Sequence, residues 1–365
     1  MNRIVIIGNG FDLAHGLKTS YEDFIDWYWE GRKNILLSHR DNRLGDKLCE
    51  FILRNTECST WSCFLFPRFY EWQKMSGKEF LSEILRCREV DLSSVPFLDR
   101  ICLPKRGWMD IEADYYNLLK ECIKLGPSEV VILHEQLEYL QKLLFTYLEK
   151  IQKENINNNL IIPEIKAIFE QNIIKEDISV NALNSTFASP EYNDGITLSD
   201  TLVLNFNYTK TAELYTSHVN HIHGVIDNSQ SVIFGYGDEM DKHYQELEEL
   251  NDNKYLTHIK SFKYLNANNY RSLLEFIESE PYQIYIMGHS CANSDRTLLN
   301  TLFEHENCVS IKPFYYQKED GTDNYTDIVQ NISRNFKDKK LLRDRVVNKT
   351  YCEPMPQAKL ATDKN

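Results

Sequence analysis

Short apolar runs that end in glycine or polar residues mark both ends of the chain. Residues 3–7, RIVII, open directly onto Gly8-Asn9-Gly10, a pattern that predicts a buried parallel strand followed by a tight turn. Beyond residue 200, runs of strand length recur between helical patterns such as SLLEFIES and Tyr325–Phe336. These runs are TLVLNFN, NHIHGVI, SVIFGYG, QIYIMGHS and CVSIKPFYY. Strands that alternate with helices predict a parallel sheet with helices on both faces.

Between about residues 20 and 190 the apolar positions follow helical spacing instead. A capping-box pattern of Thr19 and Glu22 precedes the first of these helices. The clearest helix runs from a Ser128 cap to about Gln152, with apolar residues alternately four and three apart. This segment is too short for the roughly three to four heptads of a coiled coil, so we interpret it as a core helix, with an oligomer contact as the alternative. The polar stretch KENINNN that follows predicts a loop.

Both ends of the chain therefore contribute to one predicted sheet. At about 150 residues per domain, a length of 365 residues favours two or three domains, or one large α/β domain with an insertion. We predict an α/β fold in which a Rossmann-like parallel sheet carries a large helical insertion after its first strand. The predicted domains are a sheet domain of 1–25 and 195–350, a helical insertion of 26–194 and a C-terminal tail of 351–365.

Net charge narrows the classes of function. The chain has 41 basic and 54 acidic residues, and its net charge of −13 argues against a nucleic-acid partner. Only the stretch 334–349 is rich in basic residues, and we interpret it as a solvated helix face, with an anion or partner patch as the alternative. Its basic residues beyond Arg334 are Lys337, Lys339, Lys340, Arg343, Arg345 and Lys349.

Cysteine usage and the amino-terminal sequence indicate the compartment. The nine cysteines are odd in number and show no CxxC spacing, which favours reduced thiols over a disulfide framework or a zinc ribbon. The first apolar run is too short for a signal peptide, and no stretch approaches the roughly 18 apolar residues of a spanning helix. We therefore expect a cytoplasmic protein with no membrane partner.

Four polar segments follow predicted strands, at the carboxyl ends where open α/β sheets bind ligands. They are GNGFD (8–12), NFNYT (205–209), HIHG (221–224) and GHSCANSD (288–295). Asn205 and Asn207 lie on the same side of a strand end, where amides suit a ribose or carboxamide; turn asparagines are the alternative. His221 and His223 also share a strand face, which favours a base or hydroxyl partner over a metal ligand, with a core histidine as the alternative.

The two glycine-containing segments are individually less specific. GNGFD lets the backbone approach a phosphate or ribose, but it is not the GxGxxG fingerprint of dinucleotide sites, and a glycine turn with Asp12 as a helix cap is the alternative. In GHSCANSD, Ser290 or Ser294 with Asp295 can cap the next helix, and Gly288 leaves room for a ligand. The segment lacks the GxSxG spacing of a serine-hydrolase elbow.

Taken in order, the four segments resemble the AbiH family of bacterial phage-defence proteins, whose members open with a strand and a motif similar to GNGFDLAHGLKTSYEDF. The resemblance extends to WMDIE near Trp108 and to SRNFKDKKLLRDRVV near the end of the chain. The family in turn resembles a branch of the sirtuin-like (sirtuin/DHS-like) NAD-binding superfamily. GNGFD is similar to the sirtuin glycine loop, NFNYT to the T-x-N-x-D strand end, HIHG to the catalytic histidine with its glycine, and GHS to the turn that contacts the nucleotide.

This resemblance implies a role for each matching residue. His223 would be the catalytic base, and Asn207 would hold the nicotinamide ribose of NAD, the expected substrate. The residues implied to line the nucleotide are Gly8, Asn9, Gly10, Phe11, Asp12, Asn205, Thr209, Gly224, Gly288, His289, Ser290 and Asp295. Thr209 stands where many relatives have aspartate, and Asn9 and Asp12 replace small residues of the sirtuin loop. The four-cysteine zinc module of protein deacylases is missing from the sequence, which argues against acyl-lysine chemistry, and we expect no metal.

The sequence therefore favours a phage-defence effector that hydrolyses NAD to nicotinamide and ADP-ribose in response to a phage-derived trigger, with homo-oligomer formation left open. The alternative is a non-catalytic sensor that binds NAD or ADP-ribose. A third class, nucleic-acid processing, would need an acidic metal-binding cluster. The only candidates for such a cluster in the sequence are Trp108, Asp110, Glu112 and Asp114. On a helix Asp110 and Asp114 share a face but Glu112 points elsewhere, so a structural or lid role is favoured for these residues.

Overall fold

The computed structural model describes residues 1–38, 43–54, 60–102 and 108–358. Two compact units divide the chain: Met1–Lys18 together with Leu148–Asn365, and Thr19–Tyr147. The sequence-based division instead placed its boundaries after residues 25 and 194. We refer to the two compact units as the sheet unit and the middle unit.

Strands and helices are numbered in chain order. The strands are β1 (Asn2–Ile7), β2 (Arg43–Gly45), β3 (Cys49–Leu53), β4 (Val90–Ser94), β5 (Thr201–Asn205), β6 (Val219–His221), β7 (Tyr282–Met287) and β8 (Cys308–Phe314). The helices are α1 (Asn9–Ala14), α2 (Tyr21–Ser38), α3 (Trp61–Leu65), α4 (Phe69–Lys74), α5 (Gly77–Arg86), α6 (Pro96–Ile101), α7 (Trp108–Leu125), α8 (Pro127–Asn155), α9 (Pro163–Glu170), α10 (Val180–Asn184), α11 (Lys242–Glu249), α12 (Lys260–Tyr264), α13 (Asn269–Ser279), α14 (Arg296–Glu304), α15 (Tyr325–Asn335) and α16 (Lys339–Arg345).

The sheet unit is built on a five-stranded, all-parallel sheet in the order β6-β5-β1-β7-β8. β1 lies in the middle, and its Ile4 pairs with Leu202 on one side and Ile284 on the other. Successive side chains of a strand point to opposite faces. Ile4 and Ile6 accordingly join one core cluster, and Val5 and Ile7 join another.

Helices cover both faces of this sheet. One cluster includes buried residues of α13, α14 and α15, and the other includes residues of α1 and α9. Because both faces are buried, the central strands carry continuous apolar runs rather than alternating ones. The predicted α/β class, with a parallel sheet flanked by helices, is therefore confirmed, as are strands at TLVLNFN, QIYIMGHS and CVSIKPFYY and the helices α13 and α15.

The predicted strand at SVIFGYG is wrong. Residues 232–237 form an irregular segment that contributes only an isolated bridge between Tyr236 and Ile259. Gly235 has φ +149°, and a side chain there would overlap the carbonyl oxygen of His258. This backbone is incompatible with a regular strand. The run Val232–Phe234 is nevertheless buried, so its apolar character serves packing rather than sheet pairing.

The capping box at the start of α2 is displaced by one residue from the prediction. The backbone N–H of Asp23 donates to Ser20 Oγ at 3.1 Å, and the N–H of Ser20 donates to Asp23 Oδ2 at 3.3 Å. Ser20 and Asp23 thus take the positions assigned to Thr19 and Glu22. Either pair has the three-residue spacing, and the sequence alone does not decide which turn begins the helix.

The middle unit contains a small antiparallel sheet, β2-β3-β4, that was expected to be helix and loop. Its strands are three to five residues long, too short for a clear two-residue alternation. Asp46 forms the turn between β2 and β3, since its Oδ1 accepts from the backbone N–H groups of Leu48 and Cys49. The predicted helix from Ser128 to Gln152 is confirmed as α8.

The carboxyl-terminal segments pack on the sheet unit. Within the predicted tail, the N–H of Met355 donates to the carbonyl of Tyr315 at 2.8 Å, and the Met355 side chain is buried. In the basic stretch 334–349, Arg345 is buried and donates to the carbonyl of Phe303, and Lys349 pairs with Asp323. Part of the basic charge therefore stabilises local structure. In the described part of the chain, no helix is both long enough and apolar enough to span a membrane.

Candidate functional site

The four predicted segments meet at the carboxyl edge of the parallel sheet. Residues 8–12 follow β1, residues 205–209 begin at the last residue of β5, residues 221–224 begin at the last residue of β6, and residues 288–295 follow β7. These strands are consecutive in the order β6-β5-β1-β7, so their ends lie side by side. Segments far apart in sequence thus form one polar rim, where open α/β sheets place ligands.

The glycines of two segments allow two turns to approach each other. The N–H of Gly10 donates to the carbonyl of Gly288 at 2.8 Å. A Cβ at Gly8 would lie 2.8 Å from His289 Cα, and a Cβ at Gly288 would overlap the backbone of Gly10 and Phe11. The neighbouring turn therefore occupies the space in front of these glycines. Asn9, Gly10, Gly288 and Ser290 are only half-buried and form the outer rim of the site.

The asparagines of NFNYT tie the second strand end to the first turn. Asn207 Nδ2 donates to the carbonyl of Gly8 at 2.9 Å, and the N–H of Asn207 donates to Asn205 Oδ1 at 2.8 Å. Asn205 Nδ2 in turn donates to the carbonyl of Thr209 at 3.2 Å. These bonds hold the amide of Asn207 directly beside the glycine turn.

Asp12 does not cap α1, because the helix begins at Asn9 with Gly8 as its N-cap and Asp12 lies inside it. The Thr209 hydroxyl donates to Asp12 Oδ2 at 2.6 Å, which links the first and second segments. Burial raises the pKa of Asp12 to about 6, against the opposing effect of the hydrogen bond from Thr209. The residue is thus poised to change protonation near neutral pH.

A buried cluster of ionisable side chains surrounds Asp295, and we call it the Asp295 cluster. Lys260 Nζ lies 2.8 Å from Asp295 Oδ1, and His223 Nε2 lies 3.2 Å from the same oxygen. His289 Nε2 lies 3.8 Å from Oδ2, and the hydroxyl of Tyr264 lies 3.2 Å from His223 Nε2. All five residues are buried. The cluster therefore combines an imidazole, a carboxylate and an ammonium within direct reach.

Helix capping, one of the roles considered for Asp295 and the two serines, is not observed. Asp295 is the N-cap residue of α14, but its side chain makes no capping hydrogen bond and turns instead to Lys260. Ser294 Oγ approaches Asp295 Oδ2 at 3.4 Å, and the carbonyl of Ser290 accepts a hydrogen bond from Asn331. The carboxylate thus belongs to the Asp295 cluster.

Electrostatics keep Asp295 ionised and His289 neutral. Burial alone would raise the pKa of Asp295, but Lys260 and the two imidazoles together lower it well below its usual range. Burial lowers the pKa of His289 to about 4. The backbone N–H of Cys291 donates to His289 Nδ1 at 3.0 Å, which places the proton of that ring on Nε2. Of the two imidazoles beside Asp295, His289 is therefore fixed by the backbone.

The turn that carries His289 has an unusual backbone. Gly288 has φ +73° and Cys291 has φ +55°, in the left-handed region that side chains other than glycine rarely adopt. Asn335 Nδ2 on α15 donates to the carbonyl of Cys291 at 2.7 Å and holds the turn in place. Strained backbone of this kind concentrates at functional sites.

Aromatic side chains cover the two imidazoles. The ring of Phe206 lies 4.2 Å from the ring of His289 and 5.0 Å from that of His223, between centroids. The ring of Tyr264 stacks over His223 at 6.2 Å. His223 is only 5% exposed. The imidazole therefore lies behind the rim rather than on it.

His221 and His223, predicted on one strand face, have separate partners. β6 ends at His221, whose Nε2 lies 2.7 Å from Glu213, and the chain turns at Gly224, with φ +79°, after His223. Among the residues that the structure describes, no group of three or more His, Cys, Asp or Glu side chains is arranged to hold a metal ion. Beside Asp295, the ammonium of Lys260 lies where a cation would bind.

Sequence reasoning missed Lys260 and Tyr264. The two residues are four apart on α12, a spacing that places them on one helix face, but this spacing is too common to single them out. The acidic candidates of the sequence analysis lie in the middle unit. Glu112 and Asp114 are buried on α7, while the side chains of Trp108 and Asp110 lie outside the described part.

Parallel sheet, glycine turn and polar rim together define an α/β protein of Rossmann-like architecture with a candidate ligand site at the carboxyl edge. The family model described as bacteriophage abortive infection AbiH matches residues 4–317, and the chain belongs to the AbiH family. Membership implies a role in abortive infection by bacteriophage. No curated protein gave a significant match. No solved structure did either.

Proposed function

We propose that the chain is an abortive-infection effector of the sirtuin-like NAD-binding superfamily that hydrolyses NAD to nicotinamide and ADP-ribose. One observation carries the proposal: the segments that bear His223, beside ionised Asp295, and Asn207 both lie at the carboxyl edge of one parallel sheet. A base and a ribose-binding amide at this edge are the groups that the reaction needs.

The reaction breaks the bond between C1′ of the ribose and the nicotinamide nitrogen. Nicotinamide leaves as a neutral molecule from a cation, so the site must orient C1′, stabilise the developing oxocarbenium ion and accept a proton. Asn207 orients the ribose through its carbonyl oxygen, since its amide nitrogen is held by Gly8. His223 accepts a proton from the water whose oxygen forms the new bond to C1′.

The remaining rim residues bind the dinucleotide in this proposal. Asn9, Gly10, Gly288 and Ser290 are the half-buried members and contact it directly. The buried members support the rim from beneath; they are Gly8, Phe11, Asp12, Asn205, Thr209, Gly224, His289 and Asp295. In this proposal the protein is cytoplasmic and responds to a phage-derived trigger. Formation of a homo-oligomer is one route by which the trigger would activate it.

The test is an NAD cleavage assay on purified protein, with and without phage lysate, in which released nicotinamide is measured by chromatography. His223→Ala is expected to reduce turnover by roughly 10²–10⁴-fold, the usual contribution of a general base. His218→Ala is the matched control, because the exposed His218 pairs with Asp200 and lies outside the four polar segments. Wild-type rates in folded His223→Ala protein would refute the assignment.

A second candidate function is a sensor that binds NAD or ADP-ribose without cleaving it. The burial of His223, which is 5% exposed, favours this candidate because substrate must displace covering side chains before it reaches the ring. Calorimetric binding of NAD with no nicotinamide release, with or without lysate, would select the sensor over the enzyme.

A further inference from the structure

Lys260 and Asp295 form a buried ion pair beside the imidazole of His223. The other imidazole of the cluster, His289, accepts a hydrogen bond from the backbone N–H of Cys291. The side chain of Lys260 is 1% exposed and that of Asp295 is 8% exposed. Removing such a pair from water is costly, and it is often no more stable than apolar residues of the same size. A stability role alone therefore does not account for placing this pair against His223.

The two hydrogen-bonding neighbours of His223 Nε2 are not equivalent. Asp295 Oδ1 and the Tyr264 hydroxyl both lie 3.2 Å from this nitrogen. An ionised carboxylate only accepts hydrogen bonds, whereas a tyrosine hydroxyl either donates or accepts. Because Asp295 can only accept and Tyr264 can also accept, both contacts are satisfied when Nε2 carries the proton of the ring.

Lys260 controls the charge that His223 senses. The ionisable groups nearest the His223 ring are Asp295, Lys260 and Tyr264. His289 lies at the other oxygen of Asp295, and the ring of Tyr208 lies 6.4 Å from that of His223 between centroids. The ammonium lies 2.8 Å from Asp295 Oδ1 and keeps the carboxylate ionised, so this oxygen accepts a hydrogen bond from Nε2. Without the ammonium, burial would favour the neutral form of the Asp295 carboxyl group, which is no longer an obligatory acceptor for Nε2.

We propose that Asp295, anchored by Lys260, fixes the tautomer of His223 with the ring proton on Nε2, so that Nδ1 is its basic nitrogen. Asp295 and Lys260 are thereby positioning residues of the hydrolysis proposed above, on which this inference rests. The carboxylate does not touch the substrate in this scheme. Its ionised state, held by the ammonium, selects one tautomer of the base and one orientation of the ring.

The first test reads the tautomer directly and needs no activity. Protein labelled with ¹⁵N-histidine is studied by NMR at pH 7.5, and the His223 signals are assigned by their loss in His223→Ala. We expect a protonated Nε2 and an unprotonated Nδ1 in the wild-type protein and in Tyr264→Phe, which keeps the carboxylate. A proton on Nδ1 in the wild type would overturn the inference.

Variants of the ion pair separate positioning from stability. Lys260→Met with Asp295→Leu replaces the pair by apolar residues of similar size, which keeps the interior filled. In this double variant the His223 signals should become an average of the two tautomers. Lys260→Met alone should also give averaged signals, because Asp295 loses the ammonium that keeps it ionised, and Lys260→Arg should retain the wild-type pattern. Unchanged His223 signals in the double variant would refute the proposal.

A matched control comes from the same unit. Lys312 and Asp177 form another buried ion pair, with Nζ and Oδ2 3.1 Å apart. Replacing them by Met and Leu should leave the His223 signals unchanged, whatever it does to stability. A changed His223 tautomer in this control would show that loss of any buried pair disturbs the ring and would refute the specific role of Lys260.

The last arm measures nicotinamide release. In the Lys260→Met, Asp295→Leu variant kcat should fall, but by less than in His223→Ala because part of the population keeps the productive tautomer, while KM stays within a few-fold. An unchanged kcat with an altered tautomer would refute the positioning role. A wild-type protein that binds NAD but releases no nicotinamide would refute the proposed hydrolysis, and the NMR arms would still decide whether Asp295 sets the tautomer.

Discussion

Replacing Gly288 by alanine tests whether close approach of two turns holds the site together. Gly288 has φ +73°, and a Cβ there would overlap the backbone nitrogen of Phe11 and lie 2.9 Å from Gly10 Cα. The left-handed conformation costs an ordinary residue about 1–2 kcal/mol. Overpacking against backbone adds about 1–3 kcal/mol. We therefore expect Gly288→Ala to destabilise the sheet unit by roughly 2–5 kcal/mol.

Gly321→Ala is the matched control. Gly321 has a similar φ of +82°, but no other described atom lies within 4 Å of its added Cβ. This variant should lose only the roughly 1–2 kcal/mol of backbone strain. The difference between the two variants isolates the contact between the turns. Equal stability of the two variants would refute our account of why glycine is needed at 288.

The assay is urea unfolding followed by two probes. All five tryptophans lie in the middle unit, so their fluorescence reports on that unit; they are Trp27, Trp29, Trp61, Trp72 and Trp108. Far-UV circular dichroism reports on both units. Gly288→Ala should lower the midpoint of the dichroism transition further than Gly321→Ala does. Loss confined to the fluorescence transition would contradict the structure.

Two further predictions concern stability. Burial raises the pKa of Asp12 to about 6, so its contribution to stability is complete below about pH 4 and is lost as the pH rises through about 6. Asp12→Asn should therefore stabilise the protein at pH 7.5 by up to about 3 kcal/mol. An unchanged pH profile of the unfolding midpoint in this variant would contradict the prediction. Arg3 is fully buried and donates to the carbonyls of Ile168, Phe169 and Gln171 at the end of α9. Arg3→Met should therefore lower the free energy of unfolding by about 3–5 kcal/mol. In the same unfolding assay, the exposed control Arg271→Met should change it by no more than about 0.5 kcal/mol.

Strong local patterns explain what the sequence could predict. β1 and β7 are buried on both faces, so their apolar runs are continuous and stand out from any neighbouring helix. The four polar segments follow such strands, and the topology of a parallel sheet brings their ends together. Asn207 and Gly8, 199 residues apart, are hydrogen-bonded for this reason.

Features that depend on tertiary contacts were not predictable in this way. Lys260 lies 35 residues before Asp295, and nothing in its neighbourhood indicates that its ammonium is buried against a carboxylate. The strands β2 to β4 are too short for their period to be recognised. At SVIFGYG the apolar run was recognised, but the backbone demanded by Gly235 prevents it from pairing as a strand.

The central position of β1 determines when the site can form during synthesis. The hydrogen bond between Asp12 and Thr209 joins residues 197 apart, and Asp295 is translated later still. At about 5–20 residues per second, a ribosome needs roughly 10–40 s to reach Thr209 after Asp12. A nascent chain therefore carries its first strand unpaired while the middle unit emerges, and the Asp295 cluster cannot assemble before Asp295 has been translated. The candidate site is therefore complete only after translation has passed residue 295.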